Sequence, residues 1–207
     1  MTPPTSAEHE RAAREYLSRE LRERAPTELA HVGTFDEPTL DGEGATTLFR
    51  FRLAPANATA ACAADNDEHF VVVGRTEPNY FPAYGLSPDE AYSLHVGTRF
   101  MLGMRVSRVD PQEEPAPARG ALRAIAQNFN PRARVGEPRL LALFRCEEQR
   151  FGVYELEVDG EPVLCVGADC PVGFYTGRRL PPQVVLRLHL GALIRRESDR
   201  PADSRGA

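Results

Sequence analysis

The chain has 207 residues, of which 42% are hydrophobic and 27% charged, and its formal net charge is −5. These values are typical of one globular domain or two small ones. The acidic balance argues against a general nucleic-acid or anionic-membrane binder, which would present a basic face. No run approaches the roughly 18 consecutive apolar residues of a membrane span, and the charged N-terminal segment lacks the apolar core of a signal peptide. We therefore expect a soluble cytoplasmic protein with neither a nucleic-acid nor a membrane partner.

The N-terminal half predicts a helix, three strands and a second helix after a loose tail over residues 1–5. Thr5 and Glu8 have the spacing of a capping box, so the first helix begins there. Strands are predicted over residues 28–35, 46–53 and 69–73. Residues 78–85 form an aromatic loop, and Ser87 with Glu90 three positions later predicts the start of the next helix.

The C-terminal half repeats this order after a proline-rich linker over residues 110–117. A helix is predicted over 118–129, and strands over 139–146, 151–158 and 162–166. Asp159-Gly160 predicts a tight hairpin turn between the last two strands. Residues 182–196 are predicted as a helix by analogy with the first half, although their apolar residues also alternate as in a strand. Residues 197–207 have nothing apolar to bury and are predicted to be disordered.

One stretch of the chain occurs twice. The segments 73–97 and 166–191 share nine identities, four at a shift of 93 residues and five at a shift of 94, if one residue is inserted before Leu180. We therefore predict an α+β fold built by tandem duplication of an α-β-β-β-α unit, mostly antiparallel, with a pseudo-two-fold relation. The repeats occupy residues 1–109 and 118–196. The pattern leaves open whether they share one sheet or form two lobes.

The repeat contains a pair of equivalent histidines, His95 and His189. If the halves pack about a two-fold axis, the two imidazoles would face each other and could bind a metal, share protons or line a pocket. The alternative is that each histidine caps a backbone group at the edge of the core. Ala91 and Arg99 flank His95 at helical spacing, and no acid or cysteine lies at that spacing from His189, so the alternative is favoured.

Aromatic residues near the repeated segment are the second candidate. Phe81 and Phe174 occur in both copies and are expected to fill space between sheet and helix. The candidates for partner or ligand binding are tyrosines and arginines outside the repeated pattern, together with the two histidines: Arg75, Tyr80, Tyr84, His95, Tyr175, Arg178 and His189.

Catalytic and metal signatures are weak. The usual nucleophile, phosphate-loop, dinucleotide and zinc-protease motifs are absent from the sequence. Four cysteines do not form a zinc-binding pattern, and Cys170 would be a nucleophile only if His189 came near it. We therefore expect no cofactor and no metal. The function favoured is a non-catalytic cytoplasmic binding or adaptor protein; the alternative is a small-ligand or metal-binding protein, enzymatic or not, with its site at His95 and His189.

Overall fold

The computed structural model describes residues 5–26, 28–36, 44–53, 68–110, 112, 118–168, 172–176 and 180–198. Within these ranges lie four α-helices, α1 (Ser6–Leu21), α2 (Pro88–Leu102), α3 (Ala118–Phe129) and α4 (Pro182–Ser198). The same ranges contain nine strands: β1 (Ala30–Asp36), β2 (Ala45–Arg52), β3 (Glu68–Val73), β4 (Asn79–Pro82), β5 (Val106–Val109), β6 (Arg139–Cys146), β7 (Gln149–Val158), β8 (Glu161–Ala168) and β9 (Gly173–Thr176). The linker and the C-terminal tail predicted from the sequence lie almost wholly outside the described residues.

The strands form two antiparallel sheets. One has the order β1-β2-β3-β4 and the other the order β5-β6-β7-β8-β9, and every neighbouring pair is antiparallel. The α+β prediction with antiparallel pairing is therefore confirmed, and the strands form two sheets. The segment that begins at Pro182 is a helix, although its apolar residues alternate.

Two short strands were not predicted, and a third, β5, lies in residues 104–109, where the sequence pattern fits either the end of α2 or a short strand. β4 lies in the stretch expected to be an aromatic loop, β9 occupies the corresponding place in the second half, and β5 precedes the linker. Each half therefore has four strands, and not three, between its two helices. Backbone pairing along a sheet edge does not require an alternating side-chain pattern, so strands of four residues leave little signal in the sequence.

Helix starts follow from local chemistry. Thr5 accepts a hydrogen bond from the Glu8 amide at 3.3 Å, and the Glu8 carboxylate accepts one from the Thr5 amide at 2.7 Å. The same reciprocal pair joins Ser87 and Glu90, at 3.4 and 2.8 Å. Both capping boxes satisfy amides at the N-terminus of a helix that would otherwise have no intrahelical partner.

Two compact units divide the chain, Met1–Tyr92 with Ile194–Ala207, and Ser93–Leu193; the boundaries fall inside α2 and α4. In the first unit, α1 packs on one face of the four-stranded sheet. Ala13 and Leu17 are buried there with side chains of β2 and β3. On the opposite face, Phe35 stacks on Tyr92 at the start of α2, with ring centroids 4.4 Å apart. The guanidinium of Arg195 lies 4.8 Å from the Tyr92 ring centroid and donates to the Asp89 carbonyl at 2.8 Å.

In the second unit, α3 packs on one face of the five-stranded sheet. Leu122 and Ala126 contribute to a core cluster with Tyr154, Leu156 and Cys165. A two-residue turn joins β7 to β8, and both turn residues have positive φ, 52° for Asp159 and 85° for Gly160. This confirms the predicted hairpin, because such a turn matches the twist of antiparallel strands.

Also in the second unit, α2 and α4 cross at two glycines. A Cβ on Gly97 would lie 1.8 Å from the Arg187 carbonyl oxygen, and a Cβ on Gly191 would lie 1.7 Å from the Ser93 carbonyl oxygen. The two contacts are reciprocal, since each glycine meets the carbonyl four residues before the other. Only glycine fits at either position, so the helix backbones are in direct contact.

The strand register shows that two residues matched by sequence are not equivalent. Phe174 pairs with Cys165 and packs on the α3 cluster, whereas Phe81 contacts Phe70 on the sheet face opposite α1. Tyr80, which packs on the α1 cluster, is the counterpart of Phe174. The expectation that both phenylalanines fill space between sheet and helix is therefore met by Phe174 at α3, whereas for Phe81, on the other face of its sheet, it stays a prediction. A slip of one residue moves a side chain to the other face of a strand, so the identities at a shift of 93 do not mark equivalent positions.

We predict that Gly97→Ala and Gly191→Ala each reduce the free energy of unfolding by about 3 kcal/mol or more, because the added methyl would overlap a backbone carbonyl. Urea denaturation measures the loss. Gly103→Ala is the matched control, since the nearest atom to its added Cβ is 3.7 Å away, and its effect should stay within about 0.5 kcal/mol. Equal effects at all three positions would contradict the close crossing.

Candidate functional site

Tyr80 belongs to a cluster of rings between β4 and α1. Its ring centroid lies 6.3 Å from that of Tyr16, 6.2 Å from that of Phe51 and 6.1 Å from that of His69. Phe51 and His69 are buried, while Tyr16 and Tyr80 are half-buried. Tyr80 therefore closes the margin of the core under α1.

An ion pair covers this cluster. Arg19 on α1 lies over the Tyr16 ring at 5.4 Å and contacts a carboxylate oxygen of Glu77 at 2.5 Å. Partial burial, followed by the acids Glu20 and Glu77, raises the pKa of Tyr16 above its usual value. Exposed ion pairs of this kind contribute roughly 0–1 kcal/mol, so the contact orients Arg19 more than it stabilises the fold.

Tyr84 and Arg75 lie on separate features of the first unit. Tyr84 is at the tip of a tight turn with φ of 51°, followed by Gly85 at 64°, and the Leu86 amide donates to the Ala83 carbonyl at 2.8 Å. Positive φ is uncommon for a residue with a bulky side chain. Arg75 is exposed, and its side chain lies against Gly44, where a Cβ would be 2.7 Å from Nε.

Tyr175 and His189 form a pair in the second unit. The Tyr175 hydroxyl and His189 Nδ1 are 3.1 Å apart, and a Cβ on Gly173 would lie 2.4 Å from the same nitrogen. His189 is 2% exposed. Gly173 thus leaves space for the imidazole, and the hydrogen bond links β9 to α4 on the sheet face opposite α3.

His95 is buried on α2. Burial, with a smaller contribution from the positive charge of Arg99, lowers the pKa of His95 to about 4. The imidazole is therefore neutral at pH 7. No group of three or more histidine, cysteine, aspartate or glutamate side chains that could hold a metal ion occurs in the part of the chain that the structure describes. A ligand site shared by His95 and His189 stays a prediction.

The remaining candidates have little reactive character or lie outside the described residues. Burial raises the pKa of the Cys165 thiol to about 12, and burial with the nearby Glu147 raises that of Cys146 to about 11. Both are therefore thiols at neutral pH and poor nucleophiles. Arg178, Cys62 and Cys170 lie outside the described residues.

The structure exposes one further surface, which the sequence prediction did not include. Leu102, the last residue of α2, is 81% exposed, the highest value among large hydrophobic side chains of the described ranges. Half-buried apolar residues adjoin it in the chain, and β5 begins four residues later. We call the segment from Phe100 to Arg108 the Leu102 surface.

Positive charge surrounds the apolar residues of the Leu102 surface. From Arg99 to Val109 the sequence contains three arginines and no acid, in a chain whose net charge is −5. Arg105 and Arg108 are exposed. Acids lie close by: the Glu147 carboxylate accepts a hydrogen bond from the Arg105 amide at 2.8 Å, and Asp110 follows β5. This local pattern of arginines around apolar residues is the signal that identifies the surface in the sequence.

No protein-family model matches the chain, and neither a curated protein nor a solved structure is significantly similar to it. Among the residues that the structure describes, none of the helices has the length and apolar character needed to cross a membrane.

We predict that His95 makes stability depend on pH. Its pKa is about 4 in the folded chain and roughly 6.5 when unfolded, so the unfolded state binds the proton first as the pH falls. Stability from this group is complete above about pH 6.5 and is lost toward pH 4, by about 2 kcal/mol between pH 7 and pH 5.

Urea denaturation at both pH values checks this effect. Between pH 7 and pH 5, the free energy of unfolding of His95→Gln should fall by about 2 kcal/mol less than that of the wild type. His31→Gln, at an exposed histidine of β1, is the control. A proton NMR signal of His95 that titrates near pH 6.5 in the folded protein would refute the prediction.

Proposed function

We propose that this chain is a non-catalytic binding protein of the cytoplasm, and that its Leu102 surface is the binding site for another protein. The observation that carries the proposal is the exposure of Leu102, at 81%, at a helix end bordered by arginines. A single exposed leucine is ordinary. Its position beside Met101, Met104 and the outer side of β5, which pairs with no strand in the described ranges, is what favours an interface.

The energetics support binding at this point. Burying a leucine side chain stabilises a complex by about 1.5–3 kcal/mol, and methionines adapt their shape to different partners. Arginine is enriched at protein interfaces because it combines an apolar stem with a guanidinium that forms several hydrogen bonds. The Leu102 surface therefore contains residue types that are common at protein interfaces: Leu102, Met101, Met104, Arg105 and Arg108.

The buried groups support a role without catalysis. His95 and His189 are nearly inaccessible, and His189 already contacts the Tyr175 hydroxyl. Cys146 and Cys165 keep their protons at neutral pH because burial raises their pKa values. General acid–base and nucleophilic catalysis require groups that reach a substrate with a pKa near the working pH. The Tyr175–His189 contact is better explained as packing of β9 on α4.

We predict that a benzophenone amino acid placed at position 102 forms a defined photo-crosslinked adduct with one protein in native lysate. The same probe at Arg11, an exposed position on α1, is the control and should not form that adduct. Excess wild-type chain should compete the adduct away, whereas Leu102→Gln carrying Arg105→Glu should not.

Leu102→Gln by itself should change the free energy of unfolding by less than about 0.5 kcal/mol, because the side chain is exposed. The proposal fails if positions 102 and 11 give the same adducts, or if the double variant competes as well as the wild type.

A further inference from the structure

Strand β5 has an edge that faces away from its sheet. It is the first strand in the order β5-β6-β7-β8-β9, so only β6 pairs with it among the strands of that sheet. The Glu147 amide donates to the Arg105 carbonyl at 3.1 Å, and this bond fixes which residues of β5 point at β6. Hydrogen-bonded pairs alternate along an antiparallel ladder. Ser107 and Val109 therefore bond to β6, while the amides and carbonyls of Val106 and Arg108 point outward.

Two other sheet edges are protected against strand addition. In β4, the Ala83 amide donates to the Glu68 carbonyl at 2.8 Å, and the same alternation makes residues 78, 80 and 82 point outward. Two of these are Pro78 and Pro82, which have no amide hydrogen to donate. β1 carries a bulge between His31 and Gly33, which interrupts regular pairing. β5 has neither device in its described residues.

The two faces of β5 differ in chemistry. On the face that α3 covers further along the sheet, Ser107 pairs with Arg145, and Arg145 pairs with Arg150. A strand added beside β5 would place a side chain next to the small Ser107, on the same face as Arg105. The opposite face carries Val106, four residues along the chain from the exposed Leu102.

We propose that the partner of the Leu102 surface contributes an extended segment that pairs with β5 and extends the five-stranded sheet, with acidic and apolar side chains in alternation. The acidic side chains lie on the face of Ser107 and Arg105, and the apolar side chains lie on the face of Val106. This inference rests on the proposed binding function and specifies its partner.

Charge distinguishes this partner from a second copy of the chain. Antiparallel pairing of β5 with β5 about Arg108 would place the two copies of Arg108 opposite each other, and like charges on neighbouring strands are destabilising. An acidic segment instead gains an opposite-charge pair at Arg105, which lies on the same face as Ser107. Arginine at an edge strand is a known device against self-pairing, and the same arginines attract an acidic strand.

The test uses synthetic peptides of about six residues, the usual strand length, added to the full chain. One alternates valine with glutamate, the second valine with lysine, and the third valine with threonine. We expect the glutamate peptide to bind most tightly, with an affinity that falls as salt is raised. Amide hydrogen exchange by NMR should show new protection at Val106 and Arg108, and little change at Ser107 and Val109, which already bond to β6.

Val106→Pro removes one outward amide hydrogen and no bond to β6, in the way that Pro82 does in β4. We expect it to weaken the glutamate peptide about tenfold, the effect of one lost hydrogen bond. Ser107→Ala is the control and should leave affinity within about twofold, since the amide and carbonyl of Ser107 already bond to β6 and the substitution changes neither. If Val106→Pro does not fold, the exchange pattern of the wild-type chain decides the question.

The possible outcomes separate the two proposals. Binding of the glutamate peptide without protection at Val106 and Arg108 would overturn strand addition and leave the binding function standing. Equal or tighter binding of the lysine peptide would overturn the acidic partner. Absence of peptide binding, with a photo-adduct still formed at position 102, would also overturn strand addition alone. Self-association of the wild-type chain that Val106→Pro abolishes would identify a second copy as the occupant and overturn this proposal.

Discussion

The direct contact between the α2 and α4 backbones at Gly97 and Gly191 determines how deeply the neighbouring side chains are buried. Because neither position has room for a Cβ, the residues just before each glycine are sealed between elements: Ser93, His95 and His189 are 4%, 5% and 2% exposed. Burial of an imidazole disfavours its charged form, so the low pKa of His95 is a consequence of helix packing. The histidines that suggested a binding site are explained by the same contact that brings α2 and α4 together.

Packing also accounts for the aromatic candidates. Tyr80 closes the core under α1, and Tyr175 holds β9 to α4 through His189. Each tyrosine is half-buried, which is the usual position of tyrosine at a core margin. These side chains make their contacts within their own unit, which leaves the end of α2 as the surface proposed for a partner.

The parts of the fold that depend on a few neighbouring residues could be predicted from the sequence. The capping boxes at Thr5 and Ser87 and the Asp159-Gly160 turn are of this kind. β4 and β9 were missed because a strand of four residues next to glycine and proline is too short to show an alternation of apolar and polar side chains. The equivalence of Phe81 and Phe174 failed because identity does not reveal which face of a strand a residue occupies. Leu102 was missed because it continues the apolar face of α2, and only the structure shows that nothing described covers it.

The edge strands β4 and β5 limit pairing with other chains in different ways. An edge strand exposes amides and carbonyls that any extended chain can pair with. β4 removes two of its three outward donors by placing Pro78 and Pro82 there, which weakens pairing with any partner. β5 keeps its donors and surrounds them with arginine, which excludes only partners of like charge. In a chain of net charge −5, that local positive charge repels other copies at close range and attracts acidic segments. In the proposed complex, the edge therefore selects its partner by charge.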